Sequence, residues 1–261
     1  SCSFHSRRLI GRRAPITPAA QADTAGRPSE KDCVVLLHGL ARTHRSMNTM
    51  ASALEEAGYR TINMDYPSRK CAIEHLAMQT IPEALKRCRA ASCDTIHFVT
   101  HSMGGILLRC YLSRQPIEKL GRVVMLSPPN HGSEAVDALR NNSWFRWLNG
   151  PAGQQLGTGP DGIVAGLGAV QCPVGVITGN VHALFDIWLS KRIPGEDDGK
   201  VSVQSARVEG MSDFLVLPYS HTFIMNKKQV AAQTLHFLRH GSFIHPMTTD
   251  PSPEFYYRQV I

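Results

Sequence analysis

Along this chain, short apolar runs alternate with longer stretches in which apolar positions recur every three or four residues. "CVVLL" (33–37), "YRTINMDY" (59–66), "TIHFVT" (95–100), "RVVML" (122–126), "VGVIT" (174–178) and "FLVLP" (214–218) have strand length and are rich in β-branched and aromatic residues. Between the first two, Met47, Met50, Ala51 and Leu54 fall at helical spacing, and Gly58 ends the pattern. Residues 73–90 form a second helical stretch with Ile73, Leu76 and Ala77 on one face. Within it Pro82 lacks the amide proton that a helix interior needs, which predicts a break or a fresh helix start there. Helices are also predicted over 103–114 and 226–240, the last with Val230, Ala231, Thr234 and Leu238 turned inward.

Strands apolar on both faces, alternating with helices, predict an α/β protein. Its sheet is mostly parallel, of about six strands, with helices on each side. Two segments interrupt the alternation. Residues 131–170 are glycine-rich and contain "SWFRWLNGPAGQQLG", and residues 180–213 contain the acidic turn "PGEDDGKVSV". Long connections in a compact domain are commonly functional, and open parallel sheets bind ligands beyond the carboxyl ends of their strands. The first segment is therefore expected to be a small cap insertion.

At 261 residues and 43% apolar content, the chain can fill one large core, expected over residues 32–261. Charge separates off the beginning. Arg7, Arg8, Arg12, Arg13, Arg27 and Lys31 against Asp23 and Glu30 (six minus two) give residues 1–31 four of the net seven positive charges. No aromatic residues interleave with these basic ones, so a solvated arm is expected rather than a nucleic-acid contact, and no nucleic-acid module follows. No uninterrupted apolar stretch reaches the roughly 18 residues of a membrane span. The chain begins with Ser1, as expected of either a processed exported protein or a trimmed cytoplasmic one, and its oligomeric state is left open. Seven cysteines show no metal-ligand spacing. Cys33 and Cys110 sit in apolar runs as expected core residues. Cys88 and Cys93 are close enough to bridge a helix to the next strand, and the odd count leaves at least one thiol unpaired.

The candidate chemistry gathers at the far ends of the strands. One strand runs into "HGL" (38–40), another into "HSMGG" (101–105), a third is followed by "EDDG" (196–199), and the last runs into "PYSH" (218–221). A hydroxyl, carboxylates and an imidazole thus share one sheet edge. A serine needs a base to become a nucleophile, and the base needs a carboxylate to hold its tautomer. Ser102 could equally serve as a helix N-cap. If it is a nucleophile, amides must face the developing oxyanion; Met103, at a helix N-terminus, and Leu40 could supply them.

"THSMGG" resembles the nucleophile elbow of the α/β-hydrolase fold, and "LLHGLARTH" is similar to the oxyanion loop of bacterial lipases and esterases. "LSPPNHGSE" and "GPAGQQLGTG" also resemble lipase-like segments, so that the resemblance covers roughly residues 32–240. It implies Ser102 as nucleophile, His221 as base and Asp198, directly before Gly199, as acid, with Asp197 as second choice. It also implies oxyanion amides at Leu40 and Met103 and no cofactor. Thr100 stands where the pattern has its first glycine, so the strand–helix approach has to accommodate a bulkier residue. The acidic turn could alternatively hold Ca²⁺, an oxygen-seeking ion, although its ligand spacing is undefined.

The expected reaction is hydrolysis of a small-molecule or lipid carboxylic ester through an acyl-serine. Alternatives with the same machinery are a thioesterase, an amidase or a lactonase. Outside that class stands a hydrolase-like protein that binds ligands or partners without turnover. Trp144 and Trp147 belong to the densest aromatic cluster and are expected either in an acyl-binding wall or in a cap packed on the core. Of the other histidines, His38 is expected under the oxyanion loop and His101 in a structural role.

Overall fold

The computed structural model describes residues 28–29, 31–139, 141–160, 162–182, 193 and 195–245. The predicted basic arm therefore lies almost wholly outside the described residues.

Six strands, β1 (Asp32–Leu37), β2 (Arg60–Met64), β3 (Thr95–His101), β4 (Leu120–Leu126), β5 (Val174–Gly179) and β6 (Asp213–Leu217), form one parallel sheet in the order β2-β1-β3-β4-β5-β6. Each matches a predicted run to within a few residues. Seven helices are described: α1 (Asn48–Glu56), α2 (Ile73–Ala90), α3 (Met103–Leu112), α4 (Glu134–Leu139), α5 (Ser143–Gln154), α6 (Val203–Ala206) and α7 (Lys228–His240).

The runs are apolar throughout because each strand feeds two cores. Cys33, Val35 and Leu37 of β1 face one side, with Leu76, Ile81, Ile106 and Tyr111 of α2 and α3. Val34 and Leu36 face the other, with Met50, Leu54, Val230 and Phe237 of α1 and α7. The predicted inner face of the closing helix is buried at Val230, Ala231, Thr234 and Leu238.

Two expectations are corrected. Helix α2 continues unbroken through Pro82. An interior proline costs about 3 kcal/mol, but Leu76, Ala77, Ile81, Ala84 and Cys88 are all buried along one stripe, and tertiary packing outweighs local propensity. Cys93 bonds to Cys33, not Cys88. β1 and β3 are neighbours, which brings Cys33 and Cys93 to a Cα separation of 5.9 Å, within the range a disulfide requires. Cys88 instead ends α2 in the core as a buried free thiol, its carbonyl accepting from the Cys93 amide.

The strand order also locates the site. From β1 the chain steps outward to β2 and then returns to β3 on the other side of β1. Connections leaving β1 and β3 therefore diverge, opening a crevice at their carboxyl ends.

Candidate active site

Ser102 stands in that crevice, at the corner between β3 and α3. Its φ of 52° and ψ of −122° lie in a region costly for any residue with a side chain. Strain of this kind persists only where the surroundings enforce it. Gly104 allows it from one side: a Cβ there would come within 2.7 Å of the Leu37 carbonyl oxygen and 2.9 Å of that of His38. Gly105 accommodates Thr100, whose Oγ1 would lie 3.2 Å from a Cβ at that position. The bulk of Thr100 is thus absorbed by the glycine opposite it.

As the residue flanking α3, Ser102 is placed to cap the helix, yet its side chain makes no capping bond. Its Oγ lies 2.9 Å from His221 Nε2 instead. His221 Nδ1 lies 2.9 Å from Asp198 Oδ2, and the His221 amide donates to the Asp198 carbonyl, also at 2.9 Å. With Asp198 ionised, Nδ1 carries the proton and Nε2 is left to accept from the serine.

Asp198 is fully buried. Burial by itself would raise its pKa, but the His221 imidazole, its hydrogen bond and the Val201 amide prevail and hold the carboxyl below its ordinary range. Its other oxygen accepts from the amides of Lys200 at 3.1 Å and Val201 at 2.9 Å. Asp197 points elsewhere, to His182 Nε2 at 3.0 Å and the Gly199 amide at 2.8 Å. Among the described residues, no group of three or more His, Cys, Asp or Glu is arranged to hold a metal ion.

The turn after β1 lies directly against Ser102. A Cβ on Gly39 would approach His101 Nδ1 to 2.8 Å and Ser102 Cβ to 3.2 Å, so only glycine lets the turn sit this close. Leu40 and Ser102 line the same cavity of about 300 Å³. Among the described residues no acceptor takes the Leu40 amide, and Met103, first in α3, has none within its helix.

Of the supports of this turn, His38 was expected from the sequence, and the others carried no legible signal there. His38 is fully buried, stacks on Tyr66 at 4.0 Å and places Nδ1 2.9 Å from the Gly39 carbonyl oxygen; burial lowers its pKa and keeps it neutral. The Tyr66 hydroxyl donates to the His38 carbonyl, and Ser68 Oγ accepts from the Ala41 amide at 3.1 Å. Glu134 was equally hidden: it accepts from the Ser202 and Ser205 hydroxyls, at 2.7 and 2.6 Å, bracing the loop that carries Asp198.

The insertion over 131–170 supplies part of the cavity wall through Ala135, Val136, Asn149 and Leu156. Helix α5 kinks at Gly150, where a Cβ would collide with the Arg69 carbonyl. Trp147 precedes the kink and is 72% exposed, outside the cavity lining. The Trp144 side chain lies outside the described residues.

Against known families, residues 32–156 match the α/β hydrolase fold. No curated protein sequence matches this chain. Among solved structures, the chain is similar to the mature lipase BlEst2 of Bacillus licheniformis, with 21% identity over 80% of this chain and 91% of that one, at a TM-score of 0.58. It is also similar to phospholipase PlaB from Legionella pneumophila, with 18% identity over 88% of this chain and 62% of that one, at a TM-score of 0.64. A metagenomic carboxyl esterase, MGS0156, is 19% identical over 82% of this chain and 70% of that one, at a TM-score of 0.55. At such identities the shared property is the fold.

Proposed function

This chain has the α/β-hydrolase fold, and on that premise we propose that it is a serine hydrolase cleaving carboxylic esters through an acyl-serine intermediate. The observation carrying this reading is the unbroken relay from Ser102 Oγ to His221 Nε2 and from His221 Nδ1 to Asp198 Oδ2, each contact 2.9 Å.

In the proposed reaction, His221 takes the Ser102 proton as Oγ attacks the ester carbonyl. The carboxylate of Asp198 fixes the tautomer of His221 and stabilises the imidazolium. The amides of Leu40 and Met103 face the developing oxyanion, aided by the N-terminal end of α3. Collapse of the tetrahedral species releases the alcohol, which receives its proton from His221. Water, deprotonated by the same imidazole, then frees the acid. The reaction as proposed needs no cofactor. The apolar stretch of the cavity, with Leu40, Val136, Leu156 and Val201, suits an acyl or alkyl chain.

The test is labelling with a fluorophosphonate followed by peptide mapping, together with turnover of p-nitrophenyl esters from acetyl to palmitoyl. Modification at Ser102 with ester turnover is expected. A folded protein left unlabelled at Ser102 would sink the serine-hydrolase reading.

A further inference from the structure

The cavity that holds Ser102 and His221 is lined by two cations, Arg42 and Lys200, and by no aspartate or glutamate among the described residues. Both side chains are half-buried. They come from separate loops whose backbones are pinned to the site. The Arg42 amide donates to the Gly39 carbonyl. Around Lys200, its amide donates to Asp198 Oδ1 at 3.1 Å and its carbonyl accepts from Ser133 Oγ at 2.8 Å.

The Arg42 guanidinium makes no ion pair among the described residues; its contact there is a long one, 3.5 Å from Nη2 to the Thr222 carbonyl. Positive charge continues past Ala41 into an adjoining groove lined by Arg69 and Lys70. Among the described residues the groove has one carboxylate, Asp65, which accepts from the His44 amide at 3.1 Å. Both Arg42 and Lys200 also act electrostatically on buried His101, beside the nucleophile, which places their charge within reach of the reacting centre.

We propose that Arg42 and Lys200 form an anion subsite, and that the substrate is an amphiphilic ester bearing a carboxylate or phosphate. The inference rests on the serine-hydrolase reading and names its substrate class. Leu40, Val136 and Leu156 take the apolar arm, while the anion sits between guanidinium and ammonium. An arginine fork presents planar, paired donors to such groups, and the ammonium adds a compact charge. Among the described residues few opposing charges line the cleft, so its field also draws anionic substrate inward.

Two matched pairs of substrates separate the possible positions of the anion. On the acyl side, the p-nitrophenyl monoester of glutaric acid is compared with p-nitrophenyl pentanoate. On the alcohol side, monobutyrylglycerol 3-phosphate is compared with monobutyrylglycerol. The readout is the ratio of kcat/KM for the charged and the neutral member within each variant, so that any general loss of activity divides out. At low salt one charged member is expected to exceed its neutral partner by about tenfold, the equivalent of one charge-assisted contact. That ratio should fall towards one in the Arg42→Gln/Lys200→Gln double variant, survive in Arg42→Lys, and shrink as salt is raised.

Ratios near one for both pairs in the unaltered protein would overturn the proposal. So would a parallel loss on charged and neutral esters that leaves the ratio unchanged, since the cations would then serve the reaction itself. Failure of the hydrolase reading is seen separately, as absence of turnover for every ester. In that event calorimetry on Ser102→Ala still decides. Tighter binding of octanoylglycerol phosphate than of octanoylglycerol, lost in the double variant, supports the subsite, and equal binding overturns it.

Discussion

His101 Nε2 lies 3.0 Å from the carbonyl oxygen of His221, so the residue before the proposed nucleophile holds the backbone of the proposed base. A carbonyl can only accept, which places the His101 proton on Nε2. Burial, reinforced by the nearby His221, keeps this imidazole neutral by holding its pKa well below the ordinary 6.5. His101 is thus a positioning residue. Replacing it with Leu should lower kcat by about tenfold or more, the usual consequence of a lost buried hydrogen bond, with little change in KM. Gln, which keeps a donor, should restore part of the loss. Steady-state kinetics on a short p-nitrophenyl ester check this; an unchanged kcat in the Leu variant would show that His221 holds its place unaided.

The adjacent aspartates are predicted to behave very differently. Asp198→Asn deprives His221 of its tautomer-fixing partner and should lower kcat by about 10⁴-fold. Asp197→Asn alters the pairing with His182 and the Gly199 amide, away from His221, so its effect on kcat should stay below about tenfold. Comparable losses in both variants would contradict the assignment of the acid.

Acid should destabilise the fold well before carboxylates titrate. His38, His97 and His101 are buried, and burial depresses the pKa of each below 6.5. Below pH 6.5 the unfolded chain binds protons at these positions that the folded chain refuses, so stability falls with pH, by at most about 1.4 kcal/mol per pH unit for each group. The loss continues down through the folded-state pKa of each. Asp198 adds the opposite type of shift: its depressed folded-state pKa contributes stability above the ordinary 3.8, lost as pH falls through its folded-state value. Calorimetric Tm should therefore drop between pH 7.5 and 5, and drop further below about 4. A Tm unchanged from 7.5 to 5 would exclude the histidine contribution.

The Cys33–Cys93 bond closes a loop with a sequence separation of 60. Chain-entropy reasoning gives about 4 kcal/mol for a loop of that length. Urea denaturation of a Cys33→Ala/Cys93→Ala variant should show most of that loss, while Cys88→Ala should leave the disulfide intact in non-reducing peptide maps. Recovery of a peptide linking Cys88 to Cys93 would refute this pairing.

The six strands, the closing helix and the position of Ser102 were legible because their signals are local. A run of β-branched residues, a helical repeat and a serine backed by glycines all lie within a dozen positions. His221 was legible for a related reason, since it follows the last apolar run. Pro82 shows where local reading fails: the proline is audible in the sequence, and the stripe of buried residues that overrides it depends on what the helix packs against.

Only the tertiary structure decided which groups meet. Ser102 and His221 are 119 residues apart, and the distance between them is set by the order of strands in the sheet. The same order brought Cys33 to Cys93. The identity of the aspartate facing His221 depended on a turn in which consecutive carboxylates point to different partners. Arg42 and Lys200 each lie in a segment the sequence singled out for other residues, and they share a cavity because those two loops converge at the site. Periodicity describes a segment and its environment; which segments become neighbours is determined by the packing of the whole chain.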